Sequence, residues 1–479
     1  VQYPFMHRDN RVNIFTTNLE VSSFESDRER FLGYGGWANP DALQHAELGN
    51  FEALRGQNIG ALLHPLGELQ PGESRRLITH LGQYASLATA QPDIARYRTP
   101  AAVDAALAEL KASWETYLDR MQVETPDAAM NAMLNVHNPR QCYITLNWSR
   151  YLSRYQVGLG ARGIGMRDSS QDIMGVVGNT PDEARALLRK LLQVQRKDGS
   201  GMHQFYPLTM EANIGDSAED EDRLHYYGDD HLWLVLATVA LIKETGNVSL
   251  LDEVLPYYEK GKDGTPEASG TVLNHLQRAL AFTWLHTGQH GLPLLGYADW
   301  NDTVNLWPGA ESLFNAHLFG LALREMIDLM HYLGEDERAE AYRAQYDEMR
   351  ERVNTVAWDE DLGGGTWYVR YFDVDGSPIG SRANEKGQIY LNAQSWAVMS
   401  GFATPERALQ ALDAAREHLN TVNGLKVGAP GYNGFDPDKG GITTYPPGTK
   451  ENCGIFLHTN PWMMIAETRV GRGKRAFEY

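Results

Sequence analysis

The feature that most constrains the fold is a succession of helical patterns, separated by glycine-rich loops, that runs from about residue 126 to the end of the chain. Asp230 to Glu244 is mostly apolar with helical periodicity, and Gly246 follows it where a C-cap is expected. Thr180-Pro181-Asp182-Glu183 is typical of a helix start. Further helices are predicted at residues 271–287, 312–333, 335–353 and 404–419. Because no strand pattern intervenes, the sequence predicts a helical toroid or solenoid and excludes a parallel α/β sheet.

The first part of the chain has a different composition. Residues 12–17 and 76–81 have the β-branched and apolar residues of strands, and joints such as Gly33-Tyr34-Gly35-Gly36 separate such segments. From about residue 101 the pattern changes, since Ala101 to Met121 has helical periodicity. We interpret this helix as a linker between a domain of strands and a larger helical domain.

Charge and composition exclude several classes of function. The 43 Lys and Arg against 62 Asp and Glu give a formal net charge of −19, whereas binding to nucleic acid or an anionic membrane needs a positive field. No run of about 18 apolar residues is present, so no membrane span is predicted. The two cysteines, Cys142 and Cys453, are too few for a disulfide scaffold or a cysteine-rich zinc site. We therefore expect a cytoplasmic protein that binds neither nucleic acid nor membrane.

Other chemistries lack their motifs. The chain has no G-x-G-x-x-G after a strand, no G-x-x-x-x-G-K-[ST] and no G-x-S-x-G, which argues against dinucleotide binding, nucleotide hydrolysis and serine hydrolysis. Asp229-Asp230-His231 resembles a group of metal ligands. Adjacent side chains point in different directions, however, so we interpret these residues as a helix N-terminus and predict no metal site.

The segment from Gly291 to Asp302 carries the first chemical signal, because two acids, Asp299 and Asp302, bracket Trp300 and Asn301. Cleavage of a glycosidic bond needs a carboxylic acid to protonate the leaving oxygen and an aromatic wall to hold the sugar. The same pattern also occurs in ordinary turns and N-caps. The sequence by itself therefore leaves a sugar-cleaving loop and a structural turn as alternatives.

Two further segments combine charged residues with glycines. The first contains three arginines and two acids, Arg150, Arg162, Arg167, Asp168 and Asp172. Arginine can bind phosphate with two parallel hydrogen bonds and aspartate can accept from sugar hydroxyls, although a structural ion-pair network would have the same composition. The second segment contains Tyr445, Lys450, Glu451 and His458. A single histidine of this kind is also common in cores, and a Lys-Glu pair is also common on solvated surfaces.

These segments together resemble the cellobiose phosphorylase family, glycoside hydrolase family 94. The resemblance covers nearly the whole chain, and its motifs are Tyr34-Gly-Gly, Asn147-Trp-Ser-Arg150, Arg167-Asp168-Ser-Ser-Gln-Asp172, Asp230-His-Leu-Trp233, Ala298-Asp-Trp-Asn-Asp302 and Tyr445-Pro-Pro-Gly-Thr-Lys-Glu-Asn452. It implies a mainly α fold, in which residues 1–95 are part of an N-terminal β-sandwich, residues 96–125 are a helical linker and residues 126–479 are an (α/α)6 barrel that could enter a C-terminal β segment. Because family members are longer at both ends, we expect the chain to begin inside the sandwich and to stop before a segment that contributes further phosphate-binding residues.

The resemblance also assigns roles to individual residues. It implies Asp302 as the general acid, Arg162, Arg167, Asp168 and Trp300 as the donor-sugar site, Arg150 and His458 as phosphate ligands, and Tyr445 and Lys450 as the acceptor-sugar site. Gly441 stands where cellobiose phosphorylases carry a glutamate, and the spacing between Arg150 and Arg162 is one residue longer than in the best-known family pattern.

The resemblance implies a reversible, inverting phosphorolysis of a β-linked, cellobiose-like disaccharide to an α-sugar 1-phosphate and a free sugar. Such a glycosyltransferase needs no metal or organic cofactor, since phosphate is a substrate, and family members suggest a homodimer. One alternative is an inverting (α/α)6 hydrolase of the glucoamylase type, which needs a second carboxylate opposite Asp302, with Glu451 as the candidate. A sugar-binding protein without activity is a third possibility, which the intact Asp302 disfavours.

Overall fold

The computed structural model of the chain describes residues 11–54, 57–149, 163–207, 209–219 and 221–479. The chain divides into two compact units, Val1–Asp119 and Arg120–Tyr479. The structure is mainly helical. Across the described ranges, no helix is both long enough and apolar enough to span a bilayer.

The regular elements are numbered here in chain order. The α-helices are α1 Arg28–Leu32, α2 Leu87–Arg96, α3 Pro100–Leu118, α4 Ala128–Ala132, α5 Asn138–Ile144, α6 Met166–Val176, α7 Pro181–Leu192, α8 Asp230–Thr245, α9 Val272–Leu285, α10 Leu313–Leu333, α11 Asp336–Val356, α12 Leu391–Ser400, α13 Pro405–Leu419, α14 Thr459–Arg469 and α15 Gly473–Glu478. The strands are β1 Val12–Thr17, β2 Ser23–Asp27, β3 Asn58–Leu63, β4 Thr79–Tyr84, β5 Ile164–Gly165, β6 Gln204–Phe205, β7 Ala212–Asn213, β8 Val254–Pro256, β9 Ser269–Thr271, β10 Glu311–Ser312, β11 Tyr371–Phe372, β12 Pro378–Ile379, β13 Ile389–Tyr390, β14 Asn420–Thr421, β15 Gly424–Leu425 and β16 Gly428–Ala429.

The first unit contains two antiparallel strand pairs, β1 with β4 and β2 with β3. Alternate residues of β1, Val12 and Ile14, are buried together with Ala90 of α2, as the two-residue period of a half-buried strand requires. The second predicted strand begins three residues later than expected, at Thr79 instead of Arg76. Arg76 is instead paired with Asp104 of α3 through a 2.5 Å contact.

The second unit arranges its helices in two layers. In the inner layer, each helix packs against the next in the order α6, α8, α10, α12 and α14. Helices α8 and α12 are buried around almost their whole circumference, as is expected of helices that other helices surround. Each inner helix is followed along the chain by an outer partner, α7, α9, α11, α13 or α15; α11, for example, buries only four of its residues, and α15 buries none. This is the architecture expected of a helical barrel built from successive pairs.

The predicted helix boundaries are confirmed to within a few residues. The helix predicted after Thr180 begins at Pro181, and the apolar helix α8 ends at Thr245, followed by Gly246 in the left-handed conformation with φ of 66°. Helix α8 begins at Asp230, which confirms Asp229 to His231 as a helix N-terminus. The largest differences are three residues: α11 continues to Val356 where the sequence predicted residue 353, and α3 ends at Leu118 where it predicted Met121.

Gly334 follows the last residue of α10 and allows a test of whether glycine is needed at this helix end. It has φ of 75° and no atom within 4 Å of the position where a Cβ would lie, so a substitution there costs backbone strain and no steric clash. We expect Gly334→Ala to destabilise the protein by about 1 kcal/mol, measured as a lower urea midpoint. Gly473, the first residue of α15, has equal space and no left-handed φ. Gly473→Ala should therefore leave the midpoint unchanged or raise it, and equal losses in both variants would contradict this explanation.

Candidate active site

The loop that carries Asp302 is anchored by a second acid, Asp299, which is fully buried. Arg370 donates to both carboxylate oxygens of Asp299, from Nη1 to Oδ2 at 2.6 Å and from Nη2 to Oδ1 at 2.8 Å. The hydroxyl of Ser312 and the backbone N–H of Asn301 also donate to this carboxylate, at 2.6 and 2.9 Å. Asp299 therefore holds the turn in place and is shielded from solvent.

Arg167, in the first turn of α6, holds Asp302. Its Nη1 donates to Oδ1 of Asp302 at 2.6 Å, while Nε and Nη2 donate to the two oxygens of Asp229 at 2.6 and 2.9 Å. The same guanidinium donates to the backbone carbonyls of Asp299, at 2.7 Å, and Trp300, at 3.4 Å. Its side chain is only 6% exposed, whereas that of Asp302 is 50% exposed. Arg167 thus fixes the position of a carboxylate that remains open to a ligand.

The carboxylate partners of Arg167 keep its guanidinium positively charged. Burial lowers its pKa, but the carboxylates of Asp229 and Asp302 outweigh this effect and raise the pKa well above its usual value. All five N–H donors of the guanidinium are directed to protein acceptors. The role of Arg167 as a donor-sugar ligand stays a prediction, and its observed contacts are those of a residue that positions the acid.

Aromatic side chains surround Trp300, which lies two residues before Asp302. Trp300 is 6% exposed and packs edge-to-face against His458, Phe456 and Trp462, with ring centroids 5.4, 5.2 and 5.3 Å away. His458 lies at the start of α14, and its ring centroid is 4.7 Å from that of Trp462. The structure therefore brings the predicted phosphate ligand His458 next to the loop of the predicted acid. The donor-sugar role of Trp300 stays a prediction.

The segment that precedes the predicted acceptor residues is hydrogen-bonded to the same loop. The backbone N–H of Ile442 donates to the Thr303 carbonyl at 2.7 Å. Asn305 accepts from the Gly441 N–H at 3.2 Å and donates to the Asp302 carbonyl at 3.1 Å. A few residues further along this segment, the ammonium of Lys450 lies 4.9 Å from the centre of the Tyr445 ring.

Glu451 is a second acid whose electrostatics depend on the charge of Asp302. Its pKa is raised, first by burial and then by the charge of Asp302. Its Oε2 is buried and has no hydrogen-bond partner among the residues that the structure describes. Asp168 is partly buried in the first turn of α6, next to Arg167. Arg150 and Arg162 lie outside the described residues.

Sequence reasoning missed His203. Its Nδ1 lies 2.9 Å from Oδ2 of Asp230, and its ring stacks on Tyr227 with centroids 3.5 Å apart. Burial lowers the pKa of His203, but the charges of Asp230 and then of Asp302 outweigh it and raise the pKa above its usual value. Pairing of β5 with β6 and a bond from the Met166 N–H to the His203 carbonyl place this residue beside the start of α6. No local motif in the sequence marks it.

No group of three or more His, Cys, Asp or Glu residues within the described part of the chain is arranged to hold a metal ion. Among the described residues, the site brings together a positioned carboxylate, two histidines, an aromatic cluster and a nearby polar segment.

Two models of known protein families match nearly the whole chain. The family described as "Glycosyl hydrolase 94 superfamily, catalytic domain" matches residues 113–479, and "Glycosyl hydrolase 94, supersandwich domain" matches residues 2–100. The chain belongs to the glycosyl hydrolase 94 family. This confirms the resemblance and the sandwich-then-helices organisation inferred from the sequence.

Several curated relatives of the chain are phosphorylases. It is 35% identical to "N,N'-diacetylchitobiose phosphorylase" from Vibrio proteolyticus over 97% of this chain and 58% of that protein. It is 29% identical to "Solabiose phosphorylase" from Paenibacillus borealis, over 96% of this chain and 56% of that protein. A third relative from the same organism, "3-O-beta-D-glucopyranosyl-beta-D-glucuronide phosphorylase", is 30% identical over 95% of this chain and 55% of that protein. The chain thus spans a little over half the length of these relatives.

His203 gives this site a pH dependence that can be measured. Because its pKa is raised on folding, the protonated ring stabilises the protein fully below about pH 6.5, and this contribution is lost as the pH rises through the folded-state pKa. We expect the urea midpoint to fall from about pH 6 to about pH 8 by more in the wild type than in His203→Gln. Asp230→Asn removes the charge that pairs with His203 and should also reduce the fall of the urea midpoint between these pH values. The same fall in the wild type and in both variants would contradict the role of His203.

Proposed function

We propose that the full protein is an inverting glycoside phosphorylase that acts on a β-linked disaccharide and forms an α-sugar 1-phosphate and a free sugar. The observation that carries this proposal is the half-exposed carboxylate of Asp302, held by buried Arg167 beside the cluster of Trp300 and His458. Membership of the family and the phosphorylases among its relatives support it.

The reaction uses Asp302 as the general acid. Its proton passes to the oxygen of the glycosidic bond as that bond breaks, and the acceptor sugar leaves with the proton. A phosphate oxygen forms the new bond to the anomeric carbon from the opposite face. Phosphate is already an anion, so this displacement needs no second carboxylate to activate the nucleophile. No metal or organic cofactor takes part in this scheme.

The remaining roles are those that the family resemblance implies. His458, with Arg150, binds phosphate and offsets its charge; Arg162, Asp168 and Trp300 bind the donor sugar, and Tyr445 and Lys450 bind the acceptor. A Cβ at Gly441 would lie 3.5 Å from Thr303, an ordinary contact, so the backbone does not require glycine there. We infer that Gly441 enlarges the acceptor site relative to a cellobiose phosphorylase. The family also leads us to propose a homodimer.

The direct test is synthesis in the reverse direction with the full protein. α-Glucose 1-phosphate and α-N-acetylglucosamine 1-phosphate are each incubated with a panel of acceptor sugars, and released phosphate is measured. Release that depends on one acceptor supports the proposal. In the forward direction, cleavage of the resulting disaccharide at equal rates with and without phosphate would instead support the hydrolase alternative, with Glu451 as the base. No turnover in either direction would support the sugar-binding alternative.

Asp302→Asn should keep the fold and lose most of the activity, because general acid catalysis contributes about 10²–10⁴-fold. The measurement is the rate of phosphate release at saturating substrates, together with a circular dichroism spectrum. Asp347→Asn, an equivalent change at an exposed position on α11, is the control and should retain the wild-type rate. Retention of more than about a tenth of the rate in Asp302→Asn would contradict the role of general acid.

Stereochemistry tests the single displacement. A β-disaccharide should give the α-sugar 1-phosphate as the first product, and the reverse reaction should use only the α-anomer. A double displacement would give the β-phosphate and needs a carboxylate nucleophile about 5–5.5 Å from the acid. Proton NMR of the first-formed product distinguishes the two, and a β-phosphate signal would overturn the mechanism.

A further inference from the structure

We propose that Gln171 is a positioning residue for phosphate, because it fixes the ring orientation and the protonated nitrogen of His458. The amide Oε1 of Gln171 lies 2.8 Å from Nε2 of His458. Both side chains are partly buried. This inference rests on the proposed function, since it gives His458 its role as a phosphate ligand.

The orientation of the Gln171 amide decides which atom faces the histidine. Its Nε2 donates to the backbone carbonyl of Arg167 at 3.4 Å, one turn earlier on α6. Rotation of the amide by 180° would bring its oxygen against that carbonyl oxygen and lose this bond. The oxygen therefore faces His458, and an amide oxygen can only accept a hydrogen bond. Nε2 of His458 must consequently carry a proton.

A proton fixed on Nε2 leaves Nδ1 as the nitrogen that gains or loses the second proton. With both nitrogens protonated, the ring is a cation that can donate from Nδ1 to an anion. The ring is also restricted by its contacts with Trp300 and Trp462, whose centroids are 5.4 and 4.7 Å away. Gln171 thus directs the donor capacity of His458 to one side of the ring.

One face of α6 therefore positions both the proposed acid and the proposed phosphate ligand. Arg167 and Gln171 are four residues apart, so they lie on the same side of the helix. Arg167 holds the proposed acid, Asp302, and Gln171 holds the proposed phosphate ligand, His458. A shift of this helix would displace both partners together, which couples the geometry of proton donation to that of phosphate binding.

The kinetic test is Gln171→Met, which keeps the length of the side chain and removes the acceptor. In the full protein, we expect the KM for phosphate to rise about tenfold, the scale of one lost hydrogen bond to a charged group, with little change in the KM for the disaccharide or in kcat at saturating phosphate. Gln193 on the neighbouring helical segment makes the same bond to a carbonyl four residues earlier, at 3.0 Å to Arg189, and its amide has no histidine partner in the described structure. Gln193→Met is therefore the matched control and should leave both constants unchanged.

Two further measurements separate positioning from a structural effect. In a His458→Ala background, Gln171→Met should add little to the rise in phosphate KM, because its effect passes through the absent ring. Nitrogen-15 NMR of the imidazoles, with His458 assigned from the spectrum of His458→Ala, should show Nε2 protonated in the wild type and a mixture of tautomers in Gln171→Met.

The outcomes distinguish failure of this inference from failure of the proposed function. Equal rises in both KM values, full additivity with His458→Ala, or an Nδ1-protonated neutral ring in the wild type would each overturn the role of Gln171. If the wild type shows no dependence on phosphate, the proposed function fails instead. The NMR measurement still tests the tautomer in that case, because it does not depend on activity.

Discussion

The site depends on one buried interaction, the guanidinium of Arg167 shared between Asp229 and Asp302. A charge that is 6% exposed is costly to bury, and it is tolerated here because every N–H donor has a protein acceptor. Removal of one member of such a group typically costs about 3–5 kcal/mol, since it leaves the others without compensation. The network therefore links the integrity of the helical layers to the position of the proposed acid.

Asp229 shows how the network extends into the core. Besides its two bonds to Arg167, its Oδ2 accepts from the indole N–H of Trp233 at 2.9 Å, one turn into α8. Trp233 in turn packs against Trp396 of α12 and Trp462 of α14, with centroids 5.7 and 6.3 Å away. Three inner helices thus meet around the side chain that supports the carboxylate partner of Arg167. Because these contacts are close-packed, a displacement of any of these helices would be transmitted to the acid.

The sequence predicts the helices and strands better than the contacts between residues that are distant along the chain. The signals that predict helix bounds depend only on residues that are close along the chain. Examples are Thr180-Pro181 at a helix start and Gly246 after a helix end, and the structure confirms both. Arg167 bonds to residues 62 and 135 positions away, and His458 bonds to a residue 287 positions away. Such pairs arise only when the helices pack, so no local pattern contains them. For the same reason, the sequence could not show that Arg167 holds Asp302. The role of Arg167 as a sugar ligand, which the family resemblance implies, stays a prediction.

Because residue 167 is an arginine with two carboxylate partners, the proposed acid can change its protonation state during turnover. A lysine could offer three donors from one point and could not bridge Asp229, Asp302 and two carbonyls in a plane. A general acid must also pass between its protonated and its ionised form in each cycle. When Asp302 holds its proton, Asp229 still pairs with Arg167 through two hydrogen bonds, so the buried guanidinium keeps a counter-charge. When Asp302 loses the proton, Nη1 of Arg167 is already 2.6 Å from its Oδ1 and stabilises the new negative charge. The network is therefore satisfied in both states, and the acid can cycle without rearrangement of the helices that position it.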